Sequence, residues 1–90
     1  MRVRAIKVKP LSNYCIQVWY EDGKIVIYDV SKDIQTIKIF HHLKDEENFQ
    51  KVYLQYGGYA IAFGDGDEFE DPTIDCDVPY DEGEVLISTV

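Results

Sequence analysis

The carboxylates between residues 65 and 71 are the side chains best suited to bind a cation. A calcium loop places oxygen ligands at alternate positions and a glycine where the chain turns sharply. Asp65 and Asp67 fit the first two ligand positions of such a loop. However, Phe69 stands where the third ligand belongs, Glu70 replaces the glycine, and Cys76 replaces the closing glutamate. The pattern therefore favours a solvated acidic loop. The alternative hypothesis is a divalent-cation-binding or small enzymatic domain that uses Asp65, Asp67, Glu70 and Asp71.

The cysteines and histidines form no recognisable catalytic or zinc-binding pattern. His41 and His42 are adjacent, so in a helix or a strand their side chains point apart and do not chelate one ion. Cys15 lies in an apolar strand pattern, which indicates a packed thiol, and Cys76 lies between two aspartates, which disfavour its thiolate. We expect reduced thiols in a cytoplasmic protein without a cofactor. A Cys15–Cys76 disulfide is the less favoured alternative, since spacing alone does not give the Cβ separation that it requires.

The charges are divided sharply along the chain. The net charge is -8, yet residues 1–51 carry all nine basic side chains and seven acidic ones, whereas residues 52–90 carry ten acidic side chains and no lysine or arginine. Such a density destabilises a compact state unless the carboxylates meet water, a cation or a basic partner. It argues strongly against nucleic acid as a ligand of this surface and disfavours an anionic membrane, because both would be repelled. We predict a partner-binding surface made of Asp65, Asp67, Glu68, Glu70, Asp71, Asp75 and Asp77, with the aromatic residues Trp19 and Tyr59.

Length and composition predict one globular domain over residues 1–90. Of the 90 residues, 46% are hydrophobic and 29% are charged, which is enough to bury a core. No apolar run approaches the roughly 20 residues that a membrane-spanning helix needs. Residues 1–20 alternate basic and apolar side chains, so we expect no signal peptide.

The sequence pattern of residues 2–29 predicts strands. Residues 2–9 alternate in two phases, which predicts a strand with a bulge near Ala5 and Ile6. The run from Tyr14 to Tyr20 and the β-branched run from Lys24 to Asp29 flank a turn at Gly23, which predicts a hairpin.

The second half contains a further hairpin and several less regular segments. Residues 31–43 fit either a helix capped by Ser31 or a strand, and residues 45–51 fit a short helix capped by Asp45. Alternating runs at 52–56 and 59–63 flank Gly57-Gly58 and predict a second hairpin, whereas residues 64–84 read as an acidic loop. The apolar segment Val85–Val90 is expected to pair with a sheet edge. These elements predict an α+β domain: an antiparallel sheet of two hairpins plus an edge strand, with one or two short helices.

The order of these motifs resembles the small prokaryotic family of domains of unknown function numbered 2442. The resemblance covers residues 3–80 and rests on Val18-Trp19-Tyr20-x-x-Gly23, Ile27-Tyr28-Asp29, Phe40-x-x-Leu43-x-Asp45 with Phe49, the strand around Ile61, and the acidic stretch ending near Tyr80. Phe63 stands where the family usually has tryptophan, and the acidic stretch Gly64–Asp71 is longer. Some relatives continue into a helix-turn-helix domain, for which we expect no helices in residues 81–90. The resemblance implies a noncatalytic α+β module that is antitoxin-like and binds a small protein encoded by the adjacent gene.

Residues and resemblance together lead to one expected function. We expect a noncatalytic protein-interaction module that engages a small basic protein through its acidic C-terminal surface and a sheet edge. Because the segment Val85–Val90 can also pair with itself, homodimerisation is a further possibility at the same edge.

Overall fold

The computed structural model describes residues 3–87, which form seven strands and three short α-helices. The strands are β1 (Ala5–Pro10), β2 (Cys15–Tyr20), β3 (Ile25–Asp29), β4 (Val52–Gln55), β5 (Ala60–Phe63), β6 (Thr73–Asp75) and β7 (Glu84–Ile87). The helices are α1 (Ser31–Thr36), α2 (Glu46–Phe49) and α3 (Asp77–Glu82), and a 3₁₀ helix at Lys38–Lys44 joins the first two. The α+β prediction is confirmed, although the strands divide between two sheets, with one predicted hairpin in each.

The larger sheet is antiparallel, with the strand order β1-β2-β3-β7. The alternation read from the sequence of β2 separates its two faces, because Ile16, Val18 and Tyr20 are buried while the residues between them are half-buried. The register between β1 and β2 shifts between Ala5 and Lys7, which confirms the predicted bulge. This sheet therefore has one core face and one outer face.

The smaller sheet has the order β4-β5-β6 and begins with the second predicted hairpin. Its turn passes through Gly57 and Gly58, both with positive φ. A Cβ atom on Gly58 would lie 1.9 Å from the carbonyl oxygen of Ala5, so only glycine lets the turn approach β1 this closely. This contact fixes the first sheet against the second.

The ambiguous segment 31–43 is helical. A strand there is excluded by α1 and by the 3₁₀ helix, in which Phe40 and Leu43 are buried. The predicted cap at Ser31 is wrong: Val30 is the N-cap residue, and Ser31 instead donates its backbone N–H to Asp29 Oδ1 over 2.9 Å. The predicted cap at Asp45 is confirmed, since its side chain accepts a hydrogen bond from the N–H of Glu47.

The core lies between the two sheets and the helices. Phe49 and Phe63 stack with their ring centroids 5.5 Å apart, and Tyr14 meets the edge of Phe49 at the same distance. Ile16, Val18 and Val26 contribute the core face of the larger sheet. Burial of these side chains is the main stabilising contribution to the fold.

The prediction that residues 64–84 form one loop is wrong for its second half. Residues 73–75 pair with β5 as strand β6, and residues 77–82 form α3. Pro79 suggested a break in regular structure, but it occupies the first turn of α3, where a helix needs no backbone donor.

Within residues 3–87, no helix is long and apolar enough to cross a lipid bilayer.

Candidate protein-interaction surface

The acidic loop is closed by one of its own carboxylates. Asp71 Oδ2 accepts hydrogen bonds from the backbone N–H groups of Gly66 and Asp67, both at 2.9 Å, and from the hydroxyl of Tyr53 at 2.7 Å. These bonds stabilise the charged form, and the Tyr53 hydroxyl contributes most to holding the pKa of Asp71 below its ordinary value. Asp71 therefore acts first as an internal clamp of the loop.

Two other loop carboxylates also have partners within the chain. Asp65 forms an ion pair of 3.0 Å with Lys51, and Asp67 accepts hydrogen bonds from the N–H groups of Phe69 and Glu70. In the described part of the chain, no group of three or more His, Cys, Asp or Glu side chains is arranged to hold a metal ion. The four carboxylates of the cation hypothesis are thus adjacent in sequence without converging on one point.

A cleft of about 700 Å³ lies beside this loop. Its lining combines the apolar side chains of Ile39 and Phe69 with the polar groups of His42 and Lys51. Phe69 is 94% exposed, which is unusual for a side chain of this size. The cleft mixes both charge signs, because Lys51 and Asp65 both contribute to it.

Glu68 and Glu70 belong to the acidic loop, whereas the acidic residues that follow Pro72 lie within or next to α3, which packs on the larger sheet. Tyr20 anchors the helix by donating its hydroxyl to the carbonyl of Cys76 over 2.7 Å. Burial, together with the nearby charges of Asp77 and Asp81, raises the pKa of Tyr20. Burial raises the pKa of Tyr28, and the hydrogen bond to Asp33 and then the nearby charge of Glu82 add to this effect. A negatively charged region therefore surrounds α3.

Tyr80 links this region to the first hairpin. Its hydroxyl donates to Asp22 Oδ2 over 2.6 Å, and this bond is the main reason that the pKa of Asp22 lies below its ordinary value. The ammonium group of Lys24 lies 3.8 Å from the centroid of the Tyr80 ring and donates to the carbonyl of the same residue. One lysine from the first half of the chain thus lies at the edge of the acidic region.

Most tyrosines have internal roles that the sequence did not reveal. Of the seven tyrosines, five donate their hydroxyl groups to acceptors within the chain: Tyr14, Tyr20, Tyr28, Tyr53 and Tyr80. Three of the acceptors are aspartates, and such pairs are visible only in three dimensions. Tyr59, one of the predicted contact residues, is 38% exposed. The predicted aromatic surface thus has fewer available members than composition suggested.

Trp19 lies on the outer face of the larger sheet, away from the acidic loop. It pairs in register with Lys7 on one side and with Ile25 on the other. The Lys7 ammonium lies over the Trp19 ring, 4.8 Å from its centroid. The predicted contact residues therefore fall on at least two separate surfaces.

Strand β7 directly follows α3 and is the outermost strand of the larger sheet. All four of its residues are exposed, with Val85 at 47%, Leu86 at 48% and Ile87 at 52%. Its pairing with β3 confirms the edge position predicted for this segment, of which residues 88–90 lie outside the described range. An apolar edge strand beside an acidic helix is the strongest candidate for a binding surface.

Comparison of the chain with protein-family models, with curated proteins and with solved structures finds no match.

Proposed function

We propose that this protein is a noncatalytic interaction module that binds an extended, basic segment of another protein along strand β7. The bound segment adds a strand to the larger sheet, and its basic side chains contact the acidic region around α3. The observation that carries this proposal is the exposed apolar edge of β7, which follows that helix after a single residue.

The edge supplies affinity through its backbone. β3 pairs with one side of β7 through Ile25, Val26 and Ile27, and β7 ends the strand order of its sheet. An outermost strand presents backbone donors and acceptors on its other side, and proteins usually protect such edges with charged residues or proline. Here three of the four residues are aliphatic. This composition suits strand addition by a partner.

The surrounding charge selects the partner. Glu84 begins β7, and Asp81 and Glu82 end the helix that precedes it. Three carboxylates within four residues repel an acidic segment and attract a basic one. The same charges disfavour edge-to-edge pairing of two copies, because that arrangement would bring the acidic regions together.

Two further points belong to this proposal. The family resemblance suggests that the partner is a small protein encoded by the adjacent gene and that the module is antitoxin-like, which co-expression of the two proteins would test by co-purification. We also propose a cytoplasmic location, because Cys15 and Cys76 carry thiols and form no disulfide.

The direct test uses a synthetic peptide of about eight residues with alternating lysine and valine, compared with a glutamate–valine peptide of the same length. Fluorescence anisotropy should show saturable binding of the basic peptide only. Affinity should fall when NaCl is raised from about 50 mM to about 500 mM, because exposed charge pairs are screened.

Matched variants locate the binding site. Leu86→Lys should weaken binding about tenfold or more, because it places a like charge and a long polar side chain on the edge. The control is Ile39→Lys, which changes an aliphatic residue that is 62% exposed and lies in the 3₁₀ helix rather than in β7. This variant should leave peptide binding unchanged. Equal loss in both variants, or equal binding of the acidic peptide, would contradict the proposal.

The cation hypothesis has less support, because Asp71 already accepts three hydrogen bonds and Asp65 is paired with Lys51. Calorimetric titration with Ca²⁺, Mg²⁺ and Mn²⁺ separates the two hypotheses. We expect no saturable heat at sub-millimolar metal, and a saturable signal abolished by Asp71→Asn would favour the cation site instead.

A further inference from the structure

The outer face of the larger sheet presents two parallel rows of side chains. The cross-strand register aligns Lys7, Trp19, Ile25 and Ile87 in one row, and Lys9, Gln17, Ile27 and Glu84 in the next. None of these eight side chains is buried, whereas the core face of the same strands holds Ile16, Val18 and Val26 at 0% exposure. The outer face is thus a partly apolar surface in contact with solvent.

The two edges of this face carry charges of opposite sign. Lys7 and Lys9 lie on β1 at the first edge, and Glu84 lies on β7 at the opposite edge. Between them lie the apolar side chains of Trp19, Ile25 and Ile27. A face that is basic at one edge, apolar in the middle and acidic at the other edge is complementary to itself.

We propose that two copies of this chain pack outer face against outer face, about a two-fold axis parallel to the strands. Rotation about that axis places β1 of one copy over β7 of the other. Each row of one copy then faces the same row of the second copy, in the opposite order. Lys9 then faces Glu84 of the second copy, and Trp19 faces its Ile25. Rotation about an axis perpendicular to the strands would instead place β1 over β1, with lysines facing lysines. The charges therefore select one of the two symmetric arrangements.

The expected dimer is a small sandwich of aligned sheets, separated by about 10 Å. Four strands spaced ~4.8 Å apart give a face of only about 300 Å² in projection, so association is expected to be weak and dependent on concentration. The backbone groups at the free side of β7 point outward in the plane of the sheet. Face-to-face packing therefore leaves the edge available for the partner segment proposed above, and the two proposals fail independently.

The only tryptophan of the chain lies in the centre of this face and serves as the probe. Sedimentation velocity and Trp19 emission should be recorded from about 10 µM to about 1 mM protein, the range suited to a small interface. We expect the mass to rise toward that of a dimer while the emission shifts to shorter wavelength. A monomer throughout, or a dimer without a change in Trp19 emission, would overturn the proposal.

A charge swap tests the predicted orientation. Lys9→Glu and Glu84→Lys should each weaken dimerisation about tenfold, because the symmetric interface contains the pair twice. The double variant, which reverses the pair, should restore association to within about twofold of the original. Glu46→Lys makes the same charge change on α2 and should have no effect. Absence of rescue in the double variant would exclude the two-fold arrangement proposed here.

Discussion

At the scale of single residues, aspartates of this chain mainly stabilise local structure. Asp22 and Asp71 accept hydrogen bonds from Tyr80 and Tyr53, and Asp45 caps α2. The bonds to Asp22 and Asp71 favour the charged carboxylate and lower the pKa of both side chains, so these two bonds contribute stability only while the carboxylate is ionised. Nearness in sequence to other acidic residues is therefore a poor guide to what an aspartate does.

The clamp formed by Asp71 predicts a local effect of its removal. Asp71→Asn should speed amide hydrogen exchange at Gly66 and Asp67 by about tenfold, because a neutral amide oxygen is a weaker acceptor for their N–H groups. Glu68→Gln removes the same charge from the same loop and should leave those two rates unchanged. Equal rates in the Asp71 variant and in the original protein would contradict the role of Asp71 as a clamp.

The Tyr80–Asp22 bond predicts a dependence on pH. Because the pKa of Asp22 in the folded protein is below its ordinary value of 3.8, the bond stabilises the fold above that value, and this contribution is lost as the pH falls through the lowered pKa. Tyr80→Phe should therefore reduce the thermal midpoint of unfolding at pH 7. At pH values well below 3.8, the midpoint of the variant should approach that of the original protein. An NMR titration of the Asp22 carboxyl should show its pKa rising in the variant. An unchanged pKa would contradict the assigned cause.

At the scale of secondary-structure elements, contact between the two sheets depends on one glycine. Gly58→Ala should lower the free energy of unfolding by more than about 2 kcal/mol, because its Cβ would overlap the backbone of Ala5. Gly57→Ala is the matched control: its φ is also positive but its Cβ would meet open space, so the expected cost is about 1 kcal/mol. Urea denaturation measures both, and equal losses would contradict the close approach.

Elements in which apolar residues alternate regularly along the sequence were predictable, whereas elements that depend on contacts between distant parts of the chain were not. Both hairpins, the bulge near Ala5 and the edge position of Val85 follow from alternation and turn residues. The helix α3 was missed, because its few apolar residues gain their burial from the larger sheet. In the same way, the strands divide between two sheets that meet where Gly58 approaches Ala5, and no local sequence pattern indicates this contact.

At the scale of the whole molecule, the acidic excess should reduce stability at low ionic strength. Residues 52–90 carry ten carboxylates and no basic side chain, and one of these carboxylates, Asp65, forms an ion pair with Lys51. Screening of the remaining repulsion should raise the thermal midpoint by about 5 °C between low salt and ~0.5 M NaCl. Calorimetry in both buffers measures the shift. A midpoint that falls with salt would show that attractive charge pairs dominate instead.

Only part of the candidate site could be predicted from the sequence. Charge counting located the acidic half of the chain, and strand propensity located the exposed edge. The packing of α3 on the larger sheet, where the two features meet, involves the bond from Tyr20 to Cys76, across 56 positions of the chain. Trp19 is half-buried and lies on the outer face of the larger sheet rather than with the carboxylates.

The central claim is that β7 receives a basic strand, and NMR on the isotope-labelled protein tests it most directly. On titration with the lysine–valine peptide, the amides of Glu84–Ile87 should become protected from exchange, and contacts between peptide and β7 backbone protons should appear in an antiparallel or parallel ladder. Shifts confined to the loop at residues 65–71, with no added protection along β7, would contradict the claim.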